Sequence, residues 1–89
     1  MPSVRMGVQL IERDTSEVIC LSDVLLGLAR HQRGDWGECT AEERLANDKA
    51  LDRPLEIRSR HKDRRGHIFH IITAADRTMT NVLAVQLQK

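Results

Sequence analysis

Apolar and polar positions alternate from the start of the chain. Val4, Met6, Val8 and Leu10 interleave with Arg5, Gly7 and Gln9 before Ile11. A period of two predicts a half-buried strand over 4–11, and the Arg and Gln on its polar side suit a sheet edge. Glu12 to Ser16 read as a turn, where Asp14, with Glu17 three residues on, can start a short helical turn. The period then becomes helical: Leu21, Val24, Leu25 and Leu28 predict a helix over 22–33. Ser22 is its expected N-cap, Asp23 suits the positive end of the dipole, Arg30, His31 and Arg33 suit the negative end, and Gly34 is the stop. Thr40-Ala41-Glu42-Glu43 has the capping-box pattern and opens a second helix over 41–51. Its stripe is narrow (Leu45, Ala46, Ala50, Leu51), and it ends before Pro54. Asn47 and Asp48 are weak helix formers. They belong either to a solvated face or to a contact with a neighbouring loop, such as the Trp36 segment.

The C-terminal half returns to short periods. Leu55, Ile57 and Ser59 alternate with Glu56, Arg58 and Arg60, predicting a strand over 55–61. Lys62 to Gly66 is a polar turn. His67 to Thr73 is the most apolar run, with Ile68, Phe69, Ile71 and Ile72 on both faces, as a central strand requires. After a reversal at 74–77, Thr78 to Leu87 reads as the last strand. Met79, Leu83, Val85 and Leu87 lie on one of its faces, and Thr78, Thr80, Val82 and Ala84 on the other. These elements predict one α+β domain over 1–89: an antiparallel meander of three or four strands with two helices packed on one face.

Composition narrows the function classes. Eighty-nine residues make one thin core. The net charge of +1 excludes binding driven by bulk charge. Two cysteines, Cys20 and Cys39, are too few for a disulfide scaffold and point to reduced thiols in the cytoplasm. No apolar run is long enough for a membrane span.

The chain has one Trp, one Phe and no Tyr. Burying Trp36 can contribute up to about 5 kcal/mol, so it is expected to plug the core after the first helix. Gly34, Asp35 and Gly37 would shape the loop that holds it. An exposed hot spot for a partner is the competing role.

One ordered set of residues has a family likeness. Leu28-Ala29-Arg30-His31, Gly34-Asp35-Trp36-Gly37, Asn47-Asp48, Ile71 to Thr78, and Thr80 with Val82-Leu83 together resemble a family of short bacterial proteins of plasmids, phages and integrative elements. The likeness spans residues 25–84. It implies a setting in mobile elements, where short proteins often act on host defence.

His31, Asp35, Cys39, His61, His67 and His70 are possible metal ligands, but no spacing among them assembles three on one ion, and no metal or cofactor is expected. No nucleophilic elbow or cysteine–histidine motif is present, so no catalytic residue is assigned. Arg58, Arg60, Lys62, Arg64 and Arg65 cluster on one hairpin, while the helices and loops carry acids, Glu42 and Glu43 among them. Such a bipolar surface suits docking to a host protein or ribonucleoprotein, or pairing with a second copy. The leading expectation is therefore a non-enzymatic binding protein that inhibits a host defence system stoichiometrically, of the anti-CRISPR or anti-restriction type. The alternative is a small nucleic-acid-binding regulator that uses the hairpin 58–65.

Overall fold

The computed structural model describes residues 3–85. Four strands, β1 (Val8–Ile11), β2 (Ile57–Lys62), β3 (Ile68–Thr73) and β4 (Met79–Ala84), form one sheet in the order β1-β4-β3-β2. The helices α1 (Arg13–Val18), α2 (Leu21–Gln32) and α3 (Ala41–Ala50) all fall between β1 and β2.

The α+β architecture and the β2-β3-β4 meander are as the periodicity predicts. The sheet is mixed rather than wholly antiparallel, because β1 runs parallel to β4. A parallel neighbour needs a long connection, and residues 12–78, which carry the three helices and then β2 and β3, supply it. There are three helices, not two, since the turn after Glu12 becomes α1.

The first strand is shorter than its alternation. Val4 and Met6 are buried while Val8 and Leu10 are exposed. Gly7, at φ +60, lies between the two pairs, and a Cβ there would meet the Thr78 carbonyl. The kink sends the earlier apolar pair into the core and leaves the later one on the opposite side. The last strand ends at Ala84 rather than at 87, and Leu87 lies outside the described residues.

The helices differ from expectation in phase. α2 is capped at Cys20, without a side-chain bond, instead of at Ser22. Its buried positions are Val24, Gly27, Leu28 and His31. Leu21 and Leu25, expected in the core, face solvent. Gly27 fixes this rotation, because a Cβ there would stand 2.8 Å from the Phe69 ring. α3 has its capping box, but it buries Asn47 and Ala50 while Leu45 is exposed.

The core lies between α2 and the facing side of the sheet, around Val24, Leu28, Trp36, Ile57, Phe69 and Ile71. Trp36 is 4% exposed. Its ring packs edge-on to His31, and its Nε1–H donates to Asp48 Oδ1 at 2.9 Å.

Candidate functional site

Across the core runs a chain of buried polar side chains. Starting from the sheet, Thr80 Oγ1 lies 2.7 Å from the Met6 carbonyl and 2.8 Å from Thr73 Oγ1. Thr73 Oγ1 lies 2.9 Å from His31 Nε2. Ser59 Oγ bridges His31 Nδ1 at 2.6 Å and His61 Nε2 at 2.9 Å. All five side chains are at most 1% exposed.

The alternation of β2 and β3 puts Ser59, His61 and Thr73 on the helix side. His31, in the last turn of α2, supplies the ring that joins the two strands. Burial pushes its pKa down to about 4, and His61 beside it adds to the shift. Burial takes His61 down to about 4 as well, with Arg30 nearby lowering it further. Both rings are therefore neutral at pH 7.

The direction of every bond in the chain follows from its end. A carbonyl can only accept, so the Thr80 hydroxyl donates to Met6. Thr80 then accepts from Thr73, and Thr73 accepts from His31 Nε2–H. His31 Nδ1 carries no proton and accepts from Ser59, which in turn accepts from His61 Nε2–H. The bare Nδ1 of His61 is left as a buried acceptor without a partner. It faces Gly37, where a Cβ would stand 2.7 Å away. An unsatisfied buried acceptor costs about 1–3 kcal/mol.

Other residues singled out in the sequence surround this chain. Arg30 forms a two-point pair with Asp35, and Asp35 Oδ1 also accepts from Gly37 N–H. Arg30 holds the Asp35 carboxyl below the usual range. Gly34 and Gly37 both have positive φ, as their placement around Trp36 suggests. Asn47 bonds the N–H and C=O of Arg58. Asn47 and Asp48 are thus the contact with the neighbouring segments, not a solvated face. Arg77, at φ 63, reaches the carbonyls of Leu55, Ala74 and Ala75 through Nη1. Through Nη2 it reaches those of Ala50 and Arg53. Alternation puts Ser59 on the apolar face of its strand and His61 is a possible ligand, but nothing in the sequence joins them, Thr73 and Thr80 to His31, because the contacts come from separate elements.

The hairpin cations are held within the chain. Arg58 meets Glu56, Arg60 meets Glu43 at 3.1 Å, Lys62 meets Glu38, and Arg64 forms two bonds to Asp23. Arg65 has no side-chain partner among the described residues. Glu43 closes the capping box as well as the Arg60 pair, while Glu42 is exposed. The two charge sets that the sequence separates are thus neighbours in space. The outer edge of β2 is occupied too. Arg60 N–H donates to the Trp36 carbonyl, and the Arg60 carbonyl accepts from Glu38 N–H. Cys20 and Cys39 are both free thiols. His67 bonds Asp63 and His70 bonds Arg60. Among the described residues no cluster of three metal-ligating side chains forms, and no helix is long and apolar enough to cross a membrane.

Two apolar surfaces lack a covering layer among the described residues. Leu21, Leu25 and Leu26 of α2 are 59%, 56% and 59% exposed, with Ala29 between them and the helix end. A helix with apolar residues on both its buried and its outer sides is usually covered on both. The second surface is the sheet face away from the helices. Comparison with protein-family models, with curated proteins and with solved structures returns no match for this chain.

Proposed function

We propose that this chain is a non-enzymatic protein-binding domain that docks through the outer side of α2. The observation that carries this reading is the trio Leu21, Leu25 and Leu26, each more than half exposed on a helix whose opposite side is already in the core. Exposed apolar patches of this kind mark protein–protein sites. The partner is a protein that offers an apolar groove to a helix. The resemblance read from the sequence suggests a host defence complex, such as a CRISPR effector or a restriction enzyme, as the partner that the domain would occlude stoichiometrically in the cytoplasm. Two unpaired cysteines suit that compartment.

A nucleic-acid role through the hairpin is the weaker alternative. Phosphate would have to displace Glu56, Glu43, Glu38 and Asp23 from the cations they hold. The test is affinity capture from a host lysate, with and without nuclease, using the native chain, a Leu25→Asp/Leu26→Asp variant and an Arg64→Ala/Arg65→Ala variant. The expected result is a protein partner that survives nuclease and is lost with the leucine substitutions alone. A partner lost with nuclease or with the arginine substitutions, and indifferent to the leucines, overturns the proposal.

A further inference from the structure

The outer edge of β2 is sealed by two devices, and neither is a strand. At Arg58 the seal is a side chain. The Asn47 amide accepts from Arg58 N–H at 3.1 Å and donates to the Arg58 carbonyl at 2.7 Å, as a neighbouring strand would. At Arg60 the seal is a strap of backbone, residues 36–39. Arg60 N–H donates to the Trp36 carbonyl at 3.2 Å, and Glu38 N–H donates to the Arg60 carbonyl at 2.6 Å. Gly37 lies between these two bonds at φ +69. The strap is fastened at both ends, by the Trp36 ring in the core and by the Thr40 cap of α3. Between them Arg44, exposed on α3, holds the carbonyls of Gly37 and Cys39.

Beneath the strap lies His61 Nδ1, a buried polar atom with no partner among the described residues. Gly37 covers it: a Cβ there would stand 2.7 Å from Nδ1 and 3.0 Å from Cε1. The other ring nitrogen is committed to Ser59, so Nδ1 is where the ring takes a further proton. Such a proton meets no open acceptor on Gly37, whose N–H is given to Asp35 and whose carbonyl is held by Arg44. The charged and titratable groups around the ring are Arg30 and His31 of α2, Asp35 ahead of the strap, and Arg44 of α3 across it. From β3 it meets the uncharged Phe69 ring. Burial and Arg30 oppose the proton. Asp35 favours it but is already paired with Arg30.

We infer that the strap 36–39 is an acid-linked gate on the β2 edge: a proton at His61 Nδ1 lifts Gly37 and Glu38 from Arg60 while the rest of the domain stays folded. With the strap lifted, water reaches Nδ1 and the ring regains its ordinary pKa of 6.5, against about 4 with the strap seated. The open form therefore binds the proton more tightly, and its share grows as pH falls from about 6.5 towards 4. Those two values raise the open-to-closed ratio about twentyfold between pH 7 and pH 5. The Trp36 ring and the Thr40 cap stay seated on either side, which keeps the movement local. What the movement frees is the N–H and C=O of Arg60, the pair of groups to which an extended peptide bonds when it adds to a sheet edge. This surface is separate from the outer side of α2.

The test is native-state hydrogen exchange of the full chain at pH 7 and pH 5, over a series of low urea concentrations, with each rate corrected for the intrinsic effect of pH. The amides of Glu38 and Arg60 report the strap, and those of Ile71 and Ile72 in β3 report global opening. The strap amides are expected to open more readily than β3, with little urea dependence, and about twentyfold more at pH 5 than at pH 7. Arg44→Ala alters an exposed side chain and is expected to raise strap opening at both pH values while keeping that ratio. His61→Gln, which can still donate to Ser59, is expected to abolish the ratio. Strap amides that share the protection and urea dependence of β3 overturn the inference. So does a strap opening that is indifferent to pH in the native chain or in Arg44→Ala, or a twentyfold rise that survives in His61→Gln. If His61→Gln does not fold, the native and Arg44→Ala series decide. None of these results touches partner capture through α2.

Discussion

Acid should unfold this domain earlier than its carboxylates alone would require, and His31 and His61 set the interval. Each ring has an ordinary pKa of 6.5 and a folded value of about 4. The unfolded chain therefore binds their protons first, and stability falls as pH drops from about 6.5 towards 4. Between pH 7 and pH 5 the linkage relation gives about 2 kcal/mol per ring, or about 4 kcal/mol for both. Total stability for a domain of this size is about 5–10 kcal/mol, so this is a large share. The carboxylates with depressed values, such as Asp35 and Glu43, lose their contribution only at lower pH, below their ordinary range. The upper interval thus isolates the imidazoles. His70 titrates there in the same sense, since burial and Arg60 lower it, and a His70→Gln control removes its share. Urea titrations at pH 7, 6 and 5, followed by Trp36 fluorescence, give the free energies. His61→Gln, whose amide can still donate to Ser59, should remove about half of the fall. A stability flat to within about 0.5 kcal/mol across the interval would refute the neutral buried chain.

Nitrogen chemical shifts at pH 7 should show His31 and His61 as Nε2–H tautomers, and an Nδ1–H form at either would break the derived bond direction. Trp36→Ala should cost about 3–5 kcal/mol in urea unfolding, and Trp36→Phe about 1–3 kcal/mol, because the Asp48 carboxylate loses its donor. Gly37→Ala should abolish the fold or nearly so, since its Cβ would overlap the Arg60 carbonyl. Gly66→Ala, with open space around it at φ +86, should cost only about 1–2 kcal/mol, and circular dichroism melts separate the two. Arg77→Ala should cost roughly 2–4 kcal/mol by loss of charged hydrogen bonds, with Arg77→Lys recovering little.

How much of this was legible beforehand depends on which force decides each position. The capping box at Thr40, the period of β3 and the plug role of Trp36 are local or dominated by burial, and each was readable. The rotation of α2 was not. Its apolar positions go nearly all round, so the pattern leaves two orientations, and the choice falls to Gly27 against Phe69. The parallel pairing of β1 depends on where the 67 residues between it and β4 (12 to 78) bring the chain back, which no window of sequence records. The same holds for the site. Arg58 to Arg65 were visible as a cationic run, but the partners of Arg60, Lys62 and Arg64 come from α3, the loop before it and α2. Only the fold shows that these three charges are already engaged.

The Arg77 grip on the end of α3 bears on the order in which the molecule assembles. α3 is a ten-residue helix with little apolar surface, too short to persist by itself in water. The guanidinium that ties down its last carbonyl comes from the reversal between β3 and β4. Until that reversal has closed, α3 is held by its N-terminal cap and by the bonds of Asn47 to Arg58 and of Asp48 to Trp36, while its last carbonyl stays open. The end of the helix is therefore completed last, so substitutions in its final turn should speed unfolding while leaving the refolding rate almost unchanged.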